Sequence, residues 1–291
     1  MKKKPDIKRL KKIQKKEFSS KDIALLKKLK NKFTEKEIKN ILNSGFDIYN
    51  SQNRHINNIN FTGSVIKFGV ITDTHIGSIF FKEKLFFKAI EMFEKESCKF
   101  ITHSGDVTDG LSNRQGHVYE LTHIGFNKQL EYAVNLFSKV KIPIYAVDGN
   151  HDRYFIKSAG AKIVKEISKQ VKNFTFLGHD IAEFSINQGI KICLWHGEDG
   201  SSYATSYRLQ KIVESLTGGS KPNMIIAGHT HKHNYSFERN VHILSAGACS
   251  LQSSYMKSKR LANHTGFWIV ELTVTKKSIV RCKVEWFPFY V

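Results

Sequence analysis

One recurrence constrains this chain more than any other: from residue 61 onward, short apolar runs of strand length end in His, Asp or Asn. The run 65–72 leads into Thr72-Asp73-Thr74-His75, and 100–103 into Gly105-Asp106. The run 143–147 leads into Gly149-Asn150-His151-Asp152. Later, 190–195 ends in Trp195-His196-Gly197, and 224–227 in Gly228-His229-Thr230-His231. Amphipathic stretches at 83–97, 119–138, 157–171 and 203–216 read as helices between them. Further strands are expected at 174–177, 181–187, 241–246, 265–274 and 279–287. Strands alternating with helices predict an α/β core with a mixed sheet. In open α/β sheets the sites lie at the carboxyl ends of strands, where these polar residues fall.

The residue types suit a pair of divalent cations. Two such ions about 3.5–4 Å apart need a bridging anion, and Asp106, on a glycine turn, is the candidate. Asp73 and His75 are two residues apart, so on extended backbone they project to one side and can share an ion. His229 and His231 have the same spacing and can be divided between the ions. Asn150 offers a neutral carbonyl oxygen. A mixed oxygen and imidazole set suits Mn, Fe, Ni or Zn better than Ca. Glycines before Asp106, Asn150 and His229 permit sharp turns and close backbone approach. Each element alone is common by chance, and a single His is more often packed than ligating. Five in order at five strand ends are not a chance pattern.

The order D-x-H, GD, GNHD, H, GHxH resembles that of the calcineurin-like metallophosphoesterases, over about residues 65–274. The resemblance implies a four-layer α/β/β/α sandwich. It implies that Asp73, His75, Asp106 and His231 hold one metal, and Asp106, Asn150, His196 and His229 the other. Manganese is the first expectation for both ions. His151 would act as general acid or transition-state stabiliser, with Asp152 orienting it. The implied reaction is direct, in-line hydrolysis of a phosphate ester with no covalent intermediate. DTHIG and GNHD resemble the nuclease branch, including double-strand-break repair nucleases. Their long C-terminal capping domain has no expected counterpart here. Segments 119–129, 202–210 and the stretch from Ser254 resemble phage and prokaryotic members.

Substrate contacts are sought near these loops. Asn113 and Arg114 follow Asp109, and Arg suits bidentate phosphate recognition. His123 flanks the helix expected at 119–138. Tyr203 and Arg208 follow His196 and can stack on a base. For each, a solvated loop or ordinary packing is the alternative. His103 reads as a packed or supporting residue.

Charge is unevenly placed. Residues 1–60 hold 17 of the 46 Lys/Arg and 6 of the 26 Asp/Glu, so about +11 of the net +20 sits in the first fifth. Residues 1–17 read as a basic arm, 20–31 and 34–44 as a helical pair of possible helix-turn-helix type, and 48–60 as a linker. The expected division is therefore 1–60, a small helical basic extension, and 61–291, the catalytic domain. A basic excess favours nucleic acid as partner, with a lysine-rich solvated surface as the alternative. The four cysteines form no CxxC pair, and neither a signal-like apolar run nor an 18-residue apolar stretch is present. A cytoplasmic protein with reduced thiols and no membrane contact is expected. Functionally, the reading is a phosphodiester hydrolase with nucleic acid favoured. A phosphomonoesterase or protein phosphatase, a cyclic-nucleotide phosphodiesterase, and a nucleic-acid-binding protein with a vestigial site are the alternatives.

Overall fold

Strands form where β-branched and aromatic residues alternate with smaller ones, and the alternation sets which side each sheet buries. The computed structural model describes residues 57–187, 189–198, 204–216 and 221–290. The expectations for residues 1–56, arm and helical pair included, lie outside them. The described strands are β1 (Asn57–Ile59), β2 (Val65–Ile71), β3 (Ile101–Ser104), β4 (Ile144–Asp148), β5 (Phe174–His179) and β6 (Ile181–Ile186). They continue with β7 (Ile190–Trp195), β8 (Met224–Ala227), β9 (His233–Glu238), β10 (Val241–Ala246), β11 (Gly266–Val274) and β12 (Ile279–Pro288). The helices are α1 (Glu83–Lys95), α2 (Phe126–Ser138), α3 (Tyr154–Ala159), α4 (Ile163–Gln170), α5 (Thr205–Ser215) and α6 (Ser254–Ser258).

Two six-stranded sheets result, in the orders β12-β11-β2-β3-β4-β5 and β1-β6-β7-β8-β10-β9. The pleat explains why they stack. On β7, Ile190, Ile192 and Leu194 point toward the other sheet, while Cys193 turns outward to α5. On β8, Met224 and Ile226 point in, while Ile225 and Ala227 point to α5. From the first sheet, Ile66, Phe68 and Val70 of β2 enter the same inter-sheet core. Its other face carries Ile71, Ile101 and Ile144, covered by Phe86 and Phe93 of α1, Leu136 and Phe137 of α2 and Ile167 of α4. The layers are therefore helix, sheet, sheet, helix: the four-layer α/β/β/α sandwich. Phe100 anchors the centre, stacked on Phe68 with ring centroids 4.6 Å apart and edge-on to Phe184 at 5.6 Å. Truncating a buried Phe of this kind to Ala costs about 3–5 kcal/mol.

Four expectations change. The helix expected over 119–138 is interrupted: a 3-10 turn spans His117–Glu120, and α2 begins only after Gly125, whose φ of +89° no helix accommodates. The helix expected over 157–171 divides at Gly160, φ +67°. Residues 57–59, read as linker, form β1 and pair parallel with Phe184–Ile186. Strand β9, hydrogen-bonded to β10 along its length, is not among the expected strands. Among the described residues, no helix is long and apolar enough to cross a membrane.

Strands β2, β3 and β4 run parallel, so their carboxyl ends share one edge; β7 and β8 run parallel in the second sheet. The sheets nearly touch there. Ser104 Oγ donates to Ile226 O at 3.1 Å, and a Cβ at Gly228 would lie 2.5 Å from Ser104 O. Only glycine permits that approach.

Candidate metal centre

The loops at that edge are held in an unusual backbone state. Asp73 (φ 49°), His75 (48°), Asp106 (50°), His229 (73°) and His231 (55°) all occupy the left-handed region. Non-glycine residues are uncommon there, and such strain persists only where the surroundings fix it. Those surroundings are visible. Asp73 N, His75 N and Ile76 N donate to Gly105 O, Asp106 O and Val107 O at 3.0–3.1 Å, lacing the first loop to the second. Gly105 has φ +95°, and a Cβ there would strike the His196 ring. A Cβ at Gly149 would lie 2.2 Å from Asp106 Oδ1.

Among the described residues the loops form three donor groups, the donor atoms of each within 4.8 Å of one another: Asp73, His75 and His231; Asp106, His196 and His229; and His75, Asp109 and His151, of which the first two join expected ligands only. Asp106 stands between those two, with Oδ2 3.8 Å from His75 Nε2 and 3.3 Å from His196 Nε2. Asn150 Oδ1 completes the second group, 2.9 Å from His196 Nε2 and 3.0 Å from His229 Nδ1.

Hydrogen bonds behind the rings decide which nitrogens face in. His75 Nδ1 donates to Asp109 Oδ1 at 2.8 Å, His196 Nδ1 to Ser104 O at 2.9 Å and His231 Nδ1 to Asn263 Oδ1 at 2.6 Å. With a proton held on Nδ1, each ring turns Nε2 inward, the arrangement that orients metal-binding imidazoles and lets that nitrogen take a proton or a metal ion. His75 Nε2 and His231 Nε2 then oppose each other at 3.3 Å. Two ring nitrogens at that distance beside the Asp73 carboxylate call for a proton or a metal ion there. The donor set fits two divalent ions.

The electrostatics agree. Burial acts to raise the Asp73 and Asp106 carboxyls, but His231 beside the first and His196 beside the second outweigh it and hold both low. Burial lowers His196, yet Asp106 raises it to about 9; His231 is likewise raised by Asp73 against burial. His229 falls to about 4 through burial and the neighbouring His196. The cluster attracts positive charge, whether as protons or as metal.

Around it lies a cleft of about 520 Å³, with His151 in its wall. The His151 ring meets His75 edge-on at 4.5 Å, and its Nδ1 donates to the Asp109 backbone carbonyl at 2.9 Å. Burial opposes its protonation, but Asp106 and Asp109 raise it well above the ordinary value.

Several expected roles change. Asp152 does not orient His151. Its carboxylate accepts from Val107 N, Thr108 N, Thr108 Oγ1 and Gly149 N at 2.7–3.0 Å, tying the GD and GNHD loops together. The orienting group is Asp109, which also receives His117 Nε2 at 3.0 Å. Arg208 is not a substrate contact: it is buried and donates to His196 O, Gly197 O and Gly228 O at 2.9–3.2 Å, bracing two metal loops. His123 lies off the cleft and stacks on Tyr132 at 4.0 Å, its ring occupied by packing. Asn113 is exposed and does not line the cleft, whereas Arg114 does. Tyr203 lies outside the described residues. His103 is fully buried, bonded to Thr74 Oγ1 at 3.0 Å and lowered to about 3 by burial, so it stays neutral. Sequence reasoning passed over Asp109 and Asn263. The only signal for Asp109 was its place three residues after Asp106, and Asn263 had none.

Comparison with known proteins adds relatives. The chain is 24% identical over 233 residues to the DNA polymerase II small subunit of Methanothermobacter thermautotrophicus, covering 64% of this chain and 48% of that protein. The corresponding subunit of Archaeoglobus fulgidus is 25% identical over 239 residues, with 66% and 48% covered. The chain thus spans about half the length of the curated relatives it matches. Among solved structures, an archaeal phosphodiesterase aligns at 19% identity and a TM-score of 0.45, over 76% of this chain and 100% of that one. The calcineurin-like phosphoesterase superfamily domain matches residues 66–265. With the match spanning well over half its length, the chain belongs to the calcineurin-like phosphoesterase superfamily.

Proposed function

We propose that this chain hydrolyses phosphodiesters with two divalent ions, manganese first among them, and that nucleic acid is its substrate. The observation that carries the reading is the position of Asp106, within 3.8 Å of His75 Nε2 and 3.3 Å of His196 Nε2 at the floor of an open cleft. Asp73, His75, Asp106 and His231 would hold one ion; Asp106, Asn150, His196 and His229 the other. Bound there, the ions would supply Lewis acidity toward the phosphoryl oxygens and lower the pKa of attacking water. His151 carries a proton on the cleft side and can deliver it to the departing oxygen. Asp109 keeps that ring aimed through its backbone carbonyl. Arg114 and Lys232 line the cleft and offset phosphate charge.

Nucleic acid is favoured by the net charge of +20, concentrated in residues 1–60, and by relatives that are subunits of a DNA polymerase. Those relatives also support a second reading: an accessory subunit that binds a polymerase and leaves the phosphoesterase site unused. The test is a panel of single- and double-stranded DNA, RNA, cyclic nucleotides, phosphomonoesters and bis-p-nitrophenyl phosphate with added manganese. Diester turnover lost in Asp106→Ala supports the hydrolase. Absence of turnover on every substrate by the metal-loaded wild type removes it. Deleting residues 1–53, ahead of the compact unit that begins at Arg54, should weaken nucleic-acid binding and flatten its salt dependence. Unchanged affinity would remove the basic segment from the interface.

A further inference from the structure

The phosphoester chemistry does not account for the aromatic rim of the cleft. Tyr255, on α6, lines the cleft yet leaves 47% of itself exposed. A half-exposed ring on the wall of a polar cleft is a ready stacking surface for a planar ligand. Opposite, Arg114 reaches over from the segment that follows Asp109, its guanidinium 5.8 Å from the Tyr255 ring centre. The Arg114 guanidinium pairs with Glu120 while its side chain stays partly exposed, and the Arg114 backbone N–H donates to Ser112 Oγ at 3.3 Å. Residues far apart in sequence thus meet across the cleft mouth as a flat cation facing a flat ring. The wall behind Tyr255 is also anchored: Ser253 caps α6 by accepting from Met256 N, and Asn263 of the same wall holds His231 at 2.6 Å.

We infer that Tyr255 and Arg114 form a subsite for a nucleobase next to the phosphate being cleaved. This rests on the phosphodiester reading above and names its substrate as a nucleotide chain with unpaired bases. A base between two such groups makes van der Waals contact with both faces at about 3.5 Å each, roughly 7 Å in all. The present 5.8 Å is short of that, so Arg114 shifts outward by rotation of its flexible side chain as the base enters. Stacking is tolerant of sequence, because every base has a π-face, and the guanidinium adds a cation–π contact. A phosphate alone would use Arg114 and leave Tyr255 idle. A paired base could not reach the ring without leaving its duplex.

The test is equilibrium binding of the full chain to a tetrathymidylate with phosphorothioate linkages and to an abasic oligomer of the same length and charge. Wild type should prefer the base-bearing oligomer. Tyr255→Ala should weaken that complex about tenfold, the scale of one base–aromatic stack, and leave the abasic complex unchanged. Tyr255→Phe should keep the preference, because the ring and not the hydroxyl makes the contact. Equal weakening of both oligomers, or no change for either, overturns the subsite. The result is separable from the hydrolase reading. A wild type inert toward bis-p-nitrophenyl phosphate that still shows the Tyr255-dependent preference refutes the chemistry and keeps the subsite.

Discussion

His75 and His231 face each other through Nε2 atoms 3.3 Å apart, each with its proton held behind the ring, by Asp109 and by Asn263. Neither ring can turn its Nδ1 proton inward without losing a buried hydrogen bond, so either a second proton, on His231 beside Asp73, or a metal ion relieves the opposition. Manganese should therefore stabilise the fold. At a free concentration 100 times Kd, linkage gives about 2.7 kcal/mol, or roughly 5–10 °C in melting temperature for a unit of this size. Thermal melts with manganese against EDTA measure it, and coincident curves would count against the site.

Asp109 is the next most consequential carboxylate, since it holds His75 and His117 through its side chain and His151 through its carbonyl. Asp109→Asn keeps the shape but removes the carboxylate that accepts from His75 Nδ1 and fixes the orientation of that ring. Metal affinity should fall about 10–100-fold, the usual effect of losing such a supporting group. Titration against a fluorescent chelator reads it directly. Because His151 bonds the backbone carbonyl and not the carboxylate oxygen most closely, its ring should stay in place.

The loops of the candidate site were legible in the sequence because their signal is local: a strand that stops, a glycine, then His, Asp or Asn. Asp73, His75, Asp106, Asn150, His196, His229 and His231 converge as that pattern implies. The supporting contacts were not legible. Asp152 stands beside His151 in sequence yet binds amides of the loop 45 residues earlier, and Asn263 meets His231 from 32 residues away. Such pairings have no period and depend on how the sheets stack. Gly125 and Gly160 carried a local signal, but helical periodicity on both sides outweighed it. Strand β9 gave a weak signal because only Tyr235 and Phe237 of its six residues are large and apolar.

Arg208 supports two loops at once. Replacing it with Ala would take the Arg208 donor from the buried carbonyls of His196 and Gly197, while Gly228 O would keep its bond from Thr230 N at 2.9 Å. Each buried group left unpaired costs about 1–3 kcal/mol, softened by water entry, so a net loss of about 3 kcal/mol is expected. Chemical denaturation should show it as a lower midpoint with an unchanged slope. Arg208→Lys should recover only part, since one ammonium cannot span the fork of three acceptors.

Protons and metal compete for the same nitrogens, and that fixes a pH dependence. In the metal-free protein burial lowers His196, but Asp106 carries it to about 9, above its ordinary 6.5. A folded-state value that is raised contributes stability fully present below pH 6.5 and lost as pH rises through about 9. His231 and His151 are raised as well and act in the same direction, while His229, lowered to about 4, is already neutral throughout this range. The metal-free protein should therefore lose stability between pH 6.5 and 9. Binding must expel the same proton, so metal affinity should rise about tenfold per pH unit over that window for each proton displaced. Calorimetry in two buffers of different ionisation heat counts the protons released. A metal affinity that is flat from pH 7 to 9, with no proton release, would mean that His196 is not held protonated by Asp106.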